Sequence, residues 1–502
     1  MMERLKMYKN ISNFTDILSE QAKIQPETIA IYAPRGSLTY AHVETLVWKM
    51  ATFLNKNNVK PDDVVALTFK NELILFITML AVARIGATAF SIPQNTPKIQ
   101  NDLMLTNVKV NCLVTDISNE KETLLSPLFM DIQTLLGSSI IIDFNVRTTT
   151  PDAPWLFITG SGSTGKSKIM PVHHQQQIER MRSSLKWLPL SKGDRIATLV
   201  HLNHYVSKSL YLDTLCAGLS IVLFDRVNIK PITLCKTFNI SLLHATVFHI
   251  HKILQVSSVS THNLLPSLKA LLVGGSSVPN LLRKQISKQL TPNLYVRYGV
   301  NEVGTISAAH APDVYDTVGT VGKVLPNKLV EIVNSNLQTV KPEEVGSIRI
   351  KSATTINGYR DDEEADKLAF KDGWFYPGDL GKFTVDGQLI HLGRSDDMMI
   401  MAGNNIYPAE IEHCILSHPN VEDAVALPVK APLAQEVPIC GVILKDPKSS
   451  TEKELLDFSY QLLGSRGPIR IIILDIINRN EQGKLLRKEL TNVIKAKLHD
   501  KR

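Results

Sequence analysis

The chain has 502 residues, 44% apolar and 21% charged, which excludes an intrinsically disordered protein and leaves room for two or more domains. The 55 basic and 48 acidic residues are spread along the sequence, so the net charge of +7 gives no basic stripe and no case for a nucleic-acid partner. Five cysteines (Cys112, Cys216, Cys235, Cys414, Cys440) form no C-x-x-C pair and read as reduced, buried thiols of a cytoplasmic protein.

The N-terminus, with Glu3, Lys6, Lys9 and Asn10, lacks the pattern of a signal peptide. The longest apolar stretch, Leu73 to Pro93, is interrupted by Arg84 and punctuated by Gly86 and Pro93. It predicts a buried helix through Ala83, a turn and a strand Ala87–Ile92, with no transmembrane segment. From about Thr28 to Thr291, short apolar runs alternate with longer amphipathic ones. Val64–Phe69, Asn111–Thr115, Asp194–Leu199, Ser220–Phe224, Ser241–His244 and Leu268–Val273 are expected strands of parallel α/β layers. Between about Gly319 and Leu392 the period becomes two, as in Val330-Glu331-Ile332-Val333 and Gly346–Ile350, which predicts a small β-rich subdomain. After Gly393-Arg394-Ser395-Asp396-Asp397 a compact α+β pattern begins. The expected fold is therefore α/β: a large N-terminal domain (1–395) of layered α/β subdomains plus the β-rich subdomain, then a small, mobile α+β C-terminal domain (396–502).

The segment Gly160–Ser167 fits the Walker A pattern G-x-x-x-x-G-K-[ST]. It equally fits a Ser/Thr/Gly-rich phosphate loop closed by Lys168 instead of Lys166. Either way, glycines let N–H groups and hydroxyls converge on phosphate oxygens. A Walker loop should open a helix at Lys166-Ser167, yet Pro171 would break its second turn. The apolar Trp155–Thr159 before the loop and Lys168–Val172 after it predict a hairpin.

Further motifs follow in an order that resembles the adenylate-forming superfamily: acyl-CoA synthetases, aryl-acid ligases, peptide-synthetase adenylation domains and luciferases. The resemblance covers nearly the whole chain, beginning with Gly86-Ala87 and Pro93. It implies ATP phosphate binding by Ser161, Gly162, Ser163, Thr164, Gly165 and Lys168. Gly274-Gly275-Ser276-Ser277-Val278-Pro279 resembles the turn that lines the adenine site, through Gly275 and Ser276. Tyr298-Gly299-Val300-Asn301-Glu302 resembles Tyr-Gly-x-Thr-Glu. By that resemblance Tyr298 stacks on adenine, Asn301 reaches phosphate, Gly299 and Val300 line the acid site, and Glu302 binds Mg²⁺.

Gly373-Trp374-Phe375-Tyr376-Pro377-Gly378-Asp379 resembles the motif whose Asp holds both ribose hydroxyls, with Arg394 of Gly393-Arg394 nearby. The same resemblance makes Asp396 a hinge and Ala402-Gly403 a passage for a pantetheine arm. Gly483-Lys484-Leu485-Leu486-Arg487 resembles the terminal motif whose lysine, Lys484, stabilises charge on the α-phosphate, with Thr164 and Lys168 on the leaving phosphates. Departures are Ser167 and Ile169 for the usual Pro and Gly, Asn301 for Thr, Ile400 for Lys and Asn478 for Pro.

The implied reaction is ATP- and Mg²⁺-dependent conversion of a carboxylic acid to acyl-AMP and pyrophosphate, followed by transfer to a thiol. His204 stands where amino-acid activators often carry Asp, which favours a fatty, aryl or other non-amino organic acid. CoA is the preferred acceptor, and a holo carrier protein is the alternative. A P-loop NTPase and a non-catalytic relative are the readings from other classes.

Overall fold

The computed structural model describes residues 11–117, 124–138, 150–160, 168–226, 228–256, 263–401, 404–429, 437–479, 485 and 487–500. The fold is mixed α/β, with a large N-terminal domain and a smaller C-terminal one. Two sheets organise the first part. In one, strands Cys112–Thr115, Val64–Thr68, Thr88–Ser91 and Pro154–Gly160 run parallel, and Lys168–His173 closes the edge as an antiparallel hairpin. In the other, Ile29–Ala33, Ser220–Val222, Arg195–Thr198, Leu242–Ala245, Ala270–Val273 and Leu294–Val300 are parallel in that spatial order.

Helix Glu72–Arg84 is buried from Ile74 onward because its side chains are apolar on every face, as a helix packed on all sides requires. Arg84 at its end is neutralised by Glu44 at 2.8 Å and donates to Thr15. Trp155, Leu67, Ile77, Tyr211 and Ile196 belong to one continuous core that joins both sheets.

The second sheet then turns antiparallel. Gly304–Ala309, Thr320–Val324, Leu389–Arg394, Asp379–Phe383, Gly346–Lys351 and Leu329–Val333 form the β-rich part expected from the period-two pattern. From Met399 onward the chain builds separate cores. Strands Val421–Val429, Val437–Leu444 and Arg470–Ile473 pack against helices Pro408–Leu416, Glu452–Leu463 and Arg487–Asp500.

Expected strand ends differ by one to two residues. Asp194, expected inside a strand, instead accepts the Ser191 N–H and pairs with Lys269 at 2.8 Å, so the strand starts at Arg195. Leu268 is held in a turn by its N–H to Leu265 O, and that strand begins at Ala270. The hairpin settles the loop. Pro171 lies in a strand opposite Phe157, so from Lys168 the chain runs as a strand, where a Walker A loop would open a helix, and the Walker A match is coincidental. All five cysteines are free thiols, and Cys112 alone among them is not fully buried. Among the described residues, no helix is long and apolar enough to cross a membrane.

Candidate active site

One cleft of about 1550 Å³ collects the described residues singled out from the sequence: His204, Lys168, Gly275, Ser276, Tyr298, Gly299, Val300, Asn301, Glu302, Asp379, Arg394 and Asp396. Ser161, Gly162, Ser163, Thr164, Gly165, Ala402, Gly403 and Lys484 lie outside the described residues.

The hairpin Asp379–Phe383 with Leu389–Arg394 sets Asp379 directly opposite Arg394. Gly378 has φ +78°, and a Cβ there would meet Arg394 Nη2 at 2.9 Å, so glycine lets the guanidinium fold back over the turn. Arg394 Nη1 then donates to Pro377 O and lies 3.3 Å from Asp379 Oδ1. Tyr298 donates its hydroxyl to Asp379 Oδ2 at 2.5 Å, and His391 Nε2 sits 3.6 Å from the same oxygen.

Asp379 is only 4% exposed. Burial pushes its carboxyl up, but His391, Tyr298 and Arg394 together outweigh that and hold it below the usual carboxylate range. It is therefore a fixed anion, suited to accepting two neighbouring hydroxyl donors. The Tyr298 ring lies 4.9 Å from that of His391 at 33°. Burial first, and then the Asp379 charge, push the Tyr298 hydroxyl well up, so it remains a donor.

A second group forms around the end of strand Leu294–Val300. Gly299 packs against the Gly304 carbonyl, where a Cβ would approach to 2.5 Å, and this close reversal projects Asn301 and Glu302 into the cleft. The Glu302 carbonyl is held by Arg180 Nη2 and the Ile356 N–H, both at 2.8 Å. Its carboxylate accepts the Tyr359 hydroxyl at 2.9 Å. Lys168, at the foot of the hairpin opposite Gly160, places its ammonium 4.5 Å above the Tyr359 ring. A half-buried carboxylate with one oxygen committed to Tyr359 suits a phosphate-bound Mg²⁺, which takes few protein ligands.

His204 is the N-cap residue of helix Tyr205–Cys216. Burial first, then the charges of Lys208, His201 and Arg226, lower its pKa to about 4, so it is neutral at pH 7. Gly275 takes φ +89° in the turn between strand Ala270–Val273 and helix Asn280–Gln285, where Pro279 is the N-cap. Asp396 sits in a short 3-10 turn, 3.9 Å from Arg394, beneath which Ser395 donates to Gly378 O. The C-terminal part reaches the cleft through His413, whose Nε2 is 2.7 Å from Ser277 Oγ, and through Arg479, which pairs in a forked contact with Asp423.

Sequence reasoning missed Tyr359, His391, Arg180, Arg297 and Asp213. Tyr359 meets Glu302 across 57 residues of chain, and a tyrosine after a glycine carries no local signal for that contact. His391 had one faint cue, its strand position three residues before Arg394.

This fold and this cleft define a nucleotide-dependent, adenylate-forming class of enzyme. Residues 18–360 match the family model of the AMP-binding enzymes, and residues 410–484 match the AMP-binding enzyme C-terminal domain. The chain belongs to the AMP-binding enzyme family. It is 26% identical to 2-succinylbenzoate–CoA ligase of Bacillus subtilis (strain 168), over 96% of this chain and 98% of that one. With the same-named ligase of Geobacillus sp. (strain WCH70) it shares 27% identity, over 95% and 97%. The structure of o-succinylbenzoate CoA synthetase from Bacillus subtilis, in complex with its acyl-adenylate intermediate, superposes with a TM-score of 0.85 at 25% identity. That match covers 96% of this chain and 98% of the other. ATP-bound MatB from Rhodopseudomonas palustris reaches 0.85 at 20% identity over 96% and 99%, which bears on the fold alone.

Proposed function

We propose that the protein activates a non-amino carboxylic acid with ATP and passes the acyl group to the thiol of CoA. The observation that carries this reading is the convergence of Lys168, Glu302, Tyr298, Asp379 and Arg394 on one cleft. Two cations, two carboxylates and an aromatic ring in one cleft support binding of a nucleoside triphosphate. The names of the full-length relatives, which are CoA ligases, support the same reading.

In the first step a carboxylate oxygen attacks the α-phosphorus, the α–β bond breaks, and pyrophosphate leaves. Tyr298 and Gly275-Ser276 flank the base, and Asp379 and Arg394 hold the ribose. Lys168 and the loop Ser161, Gly162, Ser163, Thr164 and Gly165 grip the departing phosphates, with Asn301 beside them. Glu302 would hold Mg²⁺, which would supply charge neutralisation to the phosphates. Lys484 offsets the charge that builds in the pentavalent state, a preorganised electrostatic role.

In the second step the CoA thiol attacks the acyl carbonyl, AMP leaves, and the thiol proton passes to solvent. We assign residues 1–395 and 396–502 as two bodies hinged at Asp396. Rotation exchanges Lys484 for a pantetheine passage along Ala402-Gly403, because both cannot occupy the cleft together. His204, Gly299 and Val300 border the acid. The free cysteines fit a reducing, cytoplasmic setting.

ATP–pyrophosphate exchange against a panel of acids tests the first step. Release of AMP on addition of CoA, or of a holo carrier protein as the alternative acceptor, tests the second. Exchange that no acid supports would contradict the reading.

A further inference from the structure

Behind the strand that carries Tyr298, the cleft holds buried and half-buried positive charge that the adenosine and phosphate contacts do not use. Side chains alternate along a strand, so Arg297 faces away from Tyr298 and Asp379. Its stem lies against Gly274, where a Cβ would meet Arg297 Cγ at 2.9 Å. Among the described residues the guanidinium is hydrogen-bonded by neutral partners: Thr305 Oγ1 at 3.3 Å and His244 Nε2 at 3.3 Å. His244 is neutral, its pKa pushed far down by burial and then by Arg297, so it accepts from Arg297 and compensates no charge.

The second guanidinium, that of Arg180, packs against Gly304, next to the threonine that holds Arg297. It is 3% exposed, and two of its nitrogens donate to the Thr354 and Glu302 carbonyls. The third, Nη1, is buried with no hydrogen-bond partner. Among the described residues, neither arginine has a carboxylate within ion-pair distance. Asp213 interacts electrostatically with both and is itself buried. Burial raises its pKa to about 7, so it neutralises them only in part. Lys208, on the same helix, adds a further buried amine that donates to the Asn203 carbonyl at 2.8 Å, and burial lowers its pKa to about 7, so it carries charge in part.

Guanidinium groups taken out of water with only partial counter-charge are costly, and the orphaned buried donor of Arg180 adds to that cost. A ligand that brings an anion removes both penalties. Arginine is also the side chain best shaped for a planar carboxylate.

We propose that the acid substrate is a dianion: one carboxylate is activated, and a second anionic group is read by Arg297 and Arg180 behind the strand. This deepens the reading above and rests on it, since it names the class of acid that the same cleft takes. Simple fatty and benzoic acids, which carry a single charge, leave both arginines only partly compensated and are poor substrates. Arg297 is the specificity-determining group, and Asp213 sets how much positive charge the empty subsite carries.

The test compares matched acids in ATP–pyrophosphate exchange: hexanoate with adipate, and benzoate with phthalate and 2-succinylbenzoate. Binding of each acid to the full-length protein is measured in parallel by titration calorimetry, which reads the preference even without turnover. At least one dianion is expected to bind more tightly than its monoanionic partner by roughly ten- to a hundredfold, the range of one charge-assisted hydrogen bond. Arg297→Leu should remove that preference while leaving the KM for ATP unchanged, and Arg297→Lys should restore part of it. Equal binding of mono- and dianions by the wild-type protein would overturn the proposal, as would a loss in Arg297→Leu that falls equally on both classes and on ATP. Absence of exchange with every acid, alongside a dianion preference in calorimetry, would sink the ligase reading and leave the anion subsite standing.

Discussion

The Tyr359 hydroxyl donates to the Glu302 carboxylate at 2.9 Å while the Lys168 ammonium rests on the same ring, 4.5 Å from its centre. One side chain thus spaces the cation assigned to the leaving phosphates from the carboxylate assigned to Mg²⁺. Burial first, and then Glu302, push the Tyr359 hydroxyl upward, so it stays a donor through the physiological range.

Removing each half of that contact should give separable effects. Tyr359→Phe keeps the ring and loses the hydrogen bond, and the Mg²⁺ requirement of exchange is expected to rise several-fold with the KM for pyrophosphate unchanged. Tyr359→Leu also loses the cation–π contact, of about 0.5–2 kcal/mol, and should raise the pyrophosphate KM as well. A titration of exchange rate against Mg²⁺ and pyrophosphate for the two variants checks this. Identical behaviour of Phe and Leu would contradict it.

Asp379→Asn removes a charge held ionised by His391, Tyr298 and Arg394. Weaker ATP binding by roughly ten- to a hundredfold is expected, because hydrogen bonds to a charged acceptor contribute about 1.5–3 kcal/mol. The KM for the acid should hardly change. Calorimetric ATP titration of the variant, with steady-state acid KM beside it, separates a ribose contact from a general loss of structure.

Much of this cleft was legible in the sequence, and the reason is local. Asp379 with Arg394, and Glu302 after Tyr298-Gly299, sit in turns whose glycines and spacing survive in one dimension, and the hairpin that carries Lys168 announced itself through Pro171. The layered α/β order and the β-rich segment were legible through their periods of burial. Arg297, Arg180 and Asp213 were not, because a charged residue on a strand or helix face looks solvated until the facing elements are placed. Tyr359 and His391 were hidden for the same reason. Tyr298 reaches Asp379 across 81 residues, and no spacing rule encodes that distance.

Asp213 also makes a stability prediction. Burial, opposed in part by Ser184, Arg180, Gln177 and Arg297, raises its pKa from 3.8 to about 7 in the folded chain. The folded state therefore holds this proton more tightly than the unfolded state. Its contribution to stability is full below about pH 4 and is lost as pH rises towards 7. Asp213→Asn should remove that loss, and its melting temperature relative to wild type should climb between pH 5 and pH 8. The climb from pH 5 to pH 8 is on the order of 3 kcal/mol at most. Parallel thermal scans at the two pH values check the sign, and a difference that stays flat or shrinks would refute it.

The central claim is that this cleft makes an acyl adenylate, with Lys484 arriving from the far end of the chain. The most direct measurement is acid-dependent ATP–pyrophosphate exchange by the wild-type protein and by Lys484→Ala. The account predicts exchange that depends on one or more carboxylic acids, and a fall of about 10²–10³-fold in Lys484→Ala with ATP binding retained, as for loss of one preorganised transition-state contact. Exchange with no acid, or exchange that Lys484→Ala leaves unchanged, would contradict it.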